Sequence, residues 1–455
     1  MGEMEVPADA LYGASTQRAV LNFPISGLPL PRRFIRALAL IKLAAAETNG
    51  ALGLIDTAVA AAIAGAASDV GAGQHNDQFP IDIYQTGSGT STNTNMNEVI
   101  AHLASARLGG RPVHPNDEVN RCQSSNDAIP TALQLSAAMA IEDSLIPALE
   151  RLHTALVARE RGLWPIVKTG RTHLQDATPI RLGQEFRGYA GQVEESLRRA
   201  RAAQAELLSV PLGGTAVGTG INAHPEYAFR ACARLSTLTG LTVREATNHF
   251  HAQATLDVAI AAHGAIRTIA LSLWKIASDI RLMGMGPRAG LAELALPETQ
   301  PGSSIMPGKV NPVIVESLTM VVARVVGNDA TIAFGQTGSL LELNVMLPVT
   351  AAALLESIDL LAAAAMNFSA RCVEGLAATE RGPQLVEQGL MLATALAPII
   401  GYDEAASMAK EALKSGRTIR DLALERGMDP EDLDRLLDPA AMTEPGLDGG
   451  GPAGG

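Results

Sequence analysis

Apolar residues recur at three- and four-residue spacing, with few breakers, over residues 128–161, 180–208, 247–283, 310–334 and 345–370. That period places them on one face of an α-helix, so the pattern predicts five long helices. All five exceed the ordinary globular helix of about 8–20 residues. Their apolar faces are too broad for one chain to cover, which points to a bundle that packs against further copies. Before them, residues 1–122 alternate helical stretches, such as 31–50 and 92–108, with Gly- and Pro-rich turns. We read 1–122 as an N-terminal mixed helical domain, 123–380 as the central long-helix bundle, and 381–455 as a small C-terminal helical domain. Pro383 and the shorter helical pieces after it mark the last of these, and its Gly-rich end, 446–455, is expected to be disordered.

Composition supports an all-α fold. Ala and Leu dominate, aromatic residues make up 3% of the chain, and β-branched runs are short. At 455 residues the chain is too long for one simple core. The formal net charge of −12 gives no general attraction to nucleic acid or to an anionic membrane, so neither is expected as a partner. An anionic ligand would have to be met by local cations, for which Arg111, Lys309 and the histidines are candidates. Cys122, Cys232 and Cys372 are odd in number, far apart and without metal-ligand spacing, which fits the reducing cytoplasm and implies no metal site. The chain opens with Glu3 and Glu5, not with a basic segment ahead of an apolar one. No apolar run reaches about 18 residues without charge, so neither export nor membrane insertion is indicated.

Residues 302–312, Gly-Ser-Ser-Ile-Met-Pro-Gly-Lys-Val-Asn-Pro, combine two hydroxyls, an ammonium, an amide and four backbone punctuators. Gly302 and Gly308 permit close approach or positive φ, while Pro307 and Pro312 fix φ and remove donors, so the run is a loop. Its polar groups suit a small dicarboxylate. By composition alone it also fits an ordinary surface loop. Three other polar clusters carry the same ambiguity. Residues 170–176, Gly-Arg-Thr-His-Leu-Gln-Asp, precede Pro179 and read as a loop or helix start. Residues 86–98 place small hydroxylated side chains before a helix, which suggests either an anion site or a capping region. Residues 123–127, Gln-Ser-Ser-Asn-Asp, are another polar lead into a helix. The breaker-rich connection 284–302 suggests that 284–308 moves as a lid over substrate.

The 302–312 run resembles the shared Gly-Ser-Ser-x-Met-Pro-x-Lys-x-Asn loop of the fumarase/aspartase superfamily, and the likeness extends from Val6-Pro7 to about Pro439. The closest resemblance is to class II fumarases. It implies a three-domain, all-α fold whose long helices form the 20-helix core of a homotetramer, with each active site built from three subunits. It implies fumarate and L-malate as substrates and no cofactor. Carried over residue by residue, Ser303 is the base acting as an oxyanion, His173 the second acid/base group, and Glu316 the carboxylate that orients it. Ser88, Gly89, Thr90, Ser124, Ser125, Asn126, Thr172, Ser304, Lys309, Val310 and Asn311 then contact substrate. Arg111, His114, Pro115, Asn116 and Asp117 match a secondary dicarboxylate site, although read alone they form a turn. Family members usually carry about a dozen residues ahead of the match to Gly2-Glu3, so the start is expected to be trimmed.

Aspartate ammonia-lyases share the loop and the product. Gln85-Thr-Gly-Ser-Gly, Ser124-Ser125 and His114-Pro-Asn-Asp favour fumarase, whereas 341–348 and 437–446 look aspartase-like. Thr94 stands where fumarases usually have Met, and His249 and His251 depart from the usual pattern around Phe250. A non-catalytic structural relative is the third alternative, opposed by the intact Ser303, Lys309, Asn311, Thr172 and His173.

Overall fold

The computed structural model describes residues 3–446; the Gly-rich end expected to be disordered lies, apart from Gly446, outside them. The fold is all-α. In chain order the helices are α1 Ala14–Asn22, α2 Arg32–Ala51, α3 Thr57–Ala72, α4 Thr90–Arg107, α5 Ser125–Ala140, α6 Ile146–Leu163, α7 Leu182–Leu207, α8 Tyr227–Thr239, α9 His249–Ala254, α10 Asp257–Met283, α11 Val313–Gly335 and α12 Leu347–Arg371. Five short ones follow: α13 Arg381–Val386, α14 Ala393–Ile400, α15 Tyr402–Ser415, α16 Ile419–Glu425 and α17 Pro430–Leu436.

Three of the expected long helices stand where the periodicity put them, as α7, α11 and α12. The other two are interrupted for visible reasons. The run 128–161 is α5 and α6 joined by a π-helical turn at Ile141–Leu145, which keeps apolar residues on the buried side while inserting an extra residue per turn. The run 247–283 breaks between α9 and α10 because Thr255 is extended and the Leu256 N–H is captured by Gln336 Oε1 at 2.9 Å.

The chain forms two compact units. The first comprises 1–148, 196–271 and 320–363. In it α2 packs against α3, α5 and α8, and α3 against α4, around the fully buried Phe34, Leu38, Ile41, Ile63, Met96, Ile100, Ile129 and Tyr227. Helix ends are set locally. Asp56 caps α3 by accepting from the N–H groups of Ala58 and Val59, and Gly73 ends it at φ +93°. The second unit comprises 149–195, 272–319 and 364–455. Its C-terminal part has its own core of Leu392, Leu396, Met408, Ile419, Leu422 and Leu433.

Strands are minor. The longest pair is an antiparallel hairpin of β1 Val167–Thr172 and β2 Gln175–Arg181. Two-residue strands follow: β3 Ser209–Val210 pairs with β4 Arg244–Glu245, β5 Leu294–Ala295 with β8 Ala377–Ala378, and β6 Ser339–Leu340 with β7 Leu343–Asn344. The segment 170–176, read from sequence as a loop or helix start, is therefore part of a hairpin.

Among the described residues one helix, Leu347–Gly375, is by length and composition apolar enough to cross a membrane, and 56% of its apolar window is buried. It carries Glu356 and Asp359, ion-paired with Arg324 and Arg33. Those charges and that burial mark a core helix.

Inside the first unit, His263 of α10 is fully buried, with Nδ1 2.9 Å from Asp329 and Nε2 3.0 Å from the Ser357 hydroxyl. Burial pushes the imidazole pKa below its ordinary 6.5, against the pull of Asp329. Burial would raise Asp329, but hydrogen bonds from His263 and Arg267 outweigh it and hold the carboxyl below its usual range. The fold thus favours neutral His263 and ionised Asp329. As pH falls through the unfolded histidine value the unfolded chain gains a proton that the fold resists, and stability drops. In denaturant titrations at about pH 7.5 and about pH 5.5, His263→Gln is expected to narrow the stability difference seen for the parent chain.

Candidate active site

The structure joins two of the four polar loops directly. Ser88 Oγ lies 2.9 Å from Thr90 Oγ1, which lies 2.8 Å from Ser125 Oγ, giving a chain of three hydroxyls across the starts of α4 and α5. Two glycines make this approach possible. A Cβ on Gly87 would lie 1.8 Å from the Val345 carbonyl oxygen, and Gly89, the N-cap of α4 at φ +72°, would drive one to 2.7 Å from Ile129. Leu347 N–H also bonds the Gly87 carbonyl at 2.9 Å, so the otherwise aspartase-like 341–348 run supports this loop.

Ser124 caps α5 in a capping box with Asp127. Asp127 does more than cap. Fully buried, it accepts from Ser124 N–H at 2.8 Å and from Gly213 and Thr215 N–H at 2.9 and 3.0 Å. It thereby binds the 123–127 loop to a third segment, 212–220, whose Ala216 carbonyl accepts from Asn126 Nδ2 at 2.9 Å and from Gln253 Nε2 at 3.1 Å. Burial raises the Asp127 pKa against those three N–H donors and the charge of Lys42. Lys42 of α2, also fully buried, donates to Asn120 at 2.9 Å and Gln123 at 3.0 Å, and burial pushes its pKa down to about 7.

Sequence reasoning places Asp127 in the 123–127 cluster but misses its buried role, and misses Lys42 and 212–220 altogether. The Gly-Gly-Thr-Ala-Val-Gly-Thr-Gly composition of residues 213–220 was the available signal. Thr215 at φ +55° and Gly213 at φ +100° show what those small residues permit. His249 belongs to this support, with Nε2 3.2 Å from the Leu212 carbonyl, whereas His251 pairs with Asp257 at 2.8 Å.

In the second unit, Thr172 ends β1 and His173-Leu174 form the two-residue hairpin turn, at φ +56° and +59°. Such turns ordinarily carry Asn-Gly or similar pairs. Here a histidine and a 74%-exposed leucine occupy them, and backbone strain of this kind gathers at functional sites.

The 302–311 loop closes on itself. Gly302 N–H bonds the Lys309 carbonyl at 2.9 Å, and Asn311 Nδ2 bonds the Gly302 carbonyl at 2.6 Å. A Cβ at Gly302 would lie 2.4 Å from that Lys309 oxygen. Ser303 Oγ accepts from the N–H groups of Ile305 at 3.2 Å and Met306 at 2.9 Å. Ser304, Lys309 and Val310 are exposed on the same loop. Glu316 stands exposed in the first turn of α11; within the single chain, no hydrogen bond or ion pair among the described residues joins it to His173. Within the expected 284–308 lid, Glu293 and Leu294 are buried and β5 pairs with β8, whereas 285–289 and 298–301 are exposed.

The Arg111–Asp117 segment leads into a π-helical turn at Pro115–Val119. Arg111 pairs with Glu118 at 3.3 Å, and His114 Nδ1 accepts from the Asn116 and Asp117 N–H groups. Among the described residues, no group of three or more His, Cys, Asp and Glu side chains is placed to hold a metal ion.

A lyase family model matches residues 2–327, and one described as the fumarase C C-terminus matches 392–444. A class II fumarate hydratase from Methylorubrum extorquens is 51% identical over 451 residues, spanning 98% of this chain and 96% of its own. The chain belongs to the class II fumarase family. A Mycobacterium tuberculosis class II fumarate hydratase is 52% identical, covering 98% and 95% of the two chains. Among solved structures, a class II fumarase from Schistosoma mansoni superposes with a TM-score of 0.95 at 38% identity over 97% of both chains. A fumarate lyase:delta crystallin from Brucella melitensis, bound to cobalt, gives 0.94 at 43% identity over 98% of both.

Within this class II fumarase fold, Asp127 ties the start of α5, which carries part of the hydroxyl cluster, to 212–220. Asp127→Ala strands the buried N–H groups of Gly213 and Thr215 and the half-buried one of Ser124, and is expected to cost about 3–5 kcal/mol, read as a lowered denaturant midpoint.

Proposed function

We propose that the protein is a fumarate hydratase, adding water reversibly and anti across fumarate to give L-malate. One observation carries the mechanism: Ser303 Oγ already accepts two backbone N–H bonds, from Ile305 and Met306. A serine hydroxyl is a poor base, and an alkoxide becomes accessible where aligned donors stabilise its charge. In the malate-to-fumarate direction Ser303 Oγ takes the C3 proton, and the electron pair enters the adjacent carboxylate to form an aci-carboxylate. Lys309 and the second Nδ2 hydrogen of Asn311, the first being held by Gly302, offset that developing dianion. His173, oriented by Glu316, protonates the departing hydroxyl, and Thr172 holds substrate beside it. Ser88, Gly89, Thr90, Ser124, Ser125 and Asn126 receive the carboxylates, with Ser304 and Val310 lining the pocket.

Because His173 and Glu316 do not meet within one chain, we assign their pairing to neighbouring subunits of a homotetramer, each site drawing on three chains. The long helices of the 123–380 segment would form its shared core, between the 1–122 and 381–455 segments. Three free, buried cysteines support a reducing, cytoplasmic setting. Arg111, His114, Pro115, Asn116 and Asp117 are proposed as a secondary dicarboxylate site, with Arg111 moderated by Glu118. The rival activity, elimination of ammonia from L-aspartate, is opposed by Ser124-Ser125 and Gln85-Thr-Gly-Ser-Gly.

Purified protein is expected to release ultraviolet-absorbing fumarate from L-malate and none from L-aspartate; release from aspartate alone would reverse the assignment. Ser303→Ala is expected to lower kcat by about 10²-fold or more with the melting temperature nearly unchanged, because the side chain is partly exposed and its loss removes the base. Activity within about tenfold of the parent would remove Ser303 from that role.

A further inference from the structure

The hairpin that carries Thr172 and His173 takes part in a quartet of charges whose central pair, Lys168 and Glu293, is buried. Lys168 Nζ is 2.9 Å from Glu185 and 3.1 Å from Glu293, and Arg171 reaches Glu293 at 2.9 Å. Lys168 and Glu293 are 2% and 1% exposed, and the set of two cations and two anions is neutral. A regular strand would send residues 168 and 171 to opposite faces. The register slips between Thr169 and Arg171, so that Thr169 pairs with Pro179 while Arg171 pairs with Asp176, and both cations reach one carboxylate. Gly170 sits at the slip with no room for a Cβ, which would lie 2.6 Å from the Thr178 carbonyl oxygen.

Glu293 is itself fixed from both sides. Its N–H bonds the Met283 carbonyl at 2.8 Å, and its carbonyl accepts from Thr379 at 3.1 Å. The next two residues form β5, paired with β8. Gly382 of α13 closes over the quartet: a Cβ there would lie 3.3 Å from the Lys168 Cβ and 4.0 Å from the Glu293 Cγ. Buried ion pairs of this kind generally add little stability compared with apolar packing, and their best-attested use is to fix one geometry. Arg171 stands two residues before His173, and Glu293 nine before Gly302.

We infer that Glu293 is a positioning residue for the proposed reaction, holding the His173 hairpin through Arg171 and Lys168 at a fixed place against the root of the Ser303 loop. The inference rests on the fumarate hydratase reading for its kinetic consequence, but not for its structural one. Glu293 touches no reacting atom. It sets the placement of the turn, and a displacement of about 1 Å in such a group costs on the order of 10²-fold in rate.

The test uses Glu293→Gln, Arg171→Met, the double variant, and Arg151→Met, which removes an exposed ion pair with Glu374 elsewhere in the same unit. Glu293→Gln and Arg171→Met are each expected to lower kcat for malate by about 10- to 100-fold, with KM changed less than about threefold. The double variant is expected to lose no more than the worse single one, as for two residues acting through one contact. Arg151→Met should keep parental kcat. Hydrogen exchange followed by mass spectrometry should quicken in 167–181 in Glu293→Gln, while the 392–437 core exchanges as in the parent. Parental kcat in both single variants, or losses that multiply in the double, would overturn the inference. So would unchanged exchange in the hairpin. If the parent chain does not turn over malate, the functional reading fails, and the exchange measurement alone still decides whether Glu293 holds the hairpin.

Discussion

The first unit depends on one physical constraint: irregular backbone brought into the interior must have its N–H groups satisfied. Buried or half-buried carboxylates do this at several points. Asp127 gathers the N–H groups of Ser124, Gly213 and Thr215. Asp82 gathers those of Ser26, Gly27 and Tyr84, which, against the effect of burial, hold its pKa below the usual carboxylate range. Glu98 takes Gly13, Ser15 and Thr16. In each case an acidic side chain at or near a helix or turn reaches backbone far away in sequence. The loops rich in Gly, Ser and Thr can then lie side by side without a helix or sheet ladder to hold them. The hydroxyl chain Ser88–Thr90–Ser125 is a consequence of that arrangement.

The same requirement explains which parts were legible in the sequence. The helices α7, α11 and α12 announce themselves because apolar periodicity and helix length are local properties. The π-helical turn at Ile141–Leu145 and the break at Thr255 do not, since the first preserves the apolar face and the second depends on Gln336, some eighty residues away. The 170–176 segment was misread because its hairpin lacks the usual turn residues; His173-Leu174 adopt positive φ without glycine. The loop at 302–312 was legible as a loop from its Gly and Pro residues, and its match to a known motif named the residues to watch. What the match could not convey is that Ser303 Oγ is the acceptor of two N–H groups. Asp127 stands in the 123–127 cluster without a role read for it, and Lys42 and Glu293 escape notice for a related reason. Single acidic or basic residues in helical or loop contexts read as solvated surface, and only the fold shows them to be buried.

The site's exposure in a single chain has a physical consequence. Ile305 is 83% exposed, Met306 49% and Leu174 74%, and all three flank the residues assigned to catalysis. Stabilising an alkoxide and an aci-carboxylate by fixed donors requires that water be excluded, because the same donors are worth far less in a high dielectric. One chain leaves these apolar side chains in solvent beside Ser303 and His173, so within it the proposed reaction would lack the dry surroundings it needs. Covering them with further copies would bury apolar surface and lower the local dielectric in one step. On the proposed reading, the breadth of the apolar helix faces and the openness of the loops at 173–174 and 302–311 are two aspects of one requirement, which association of chains would satisfy.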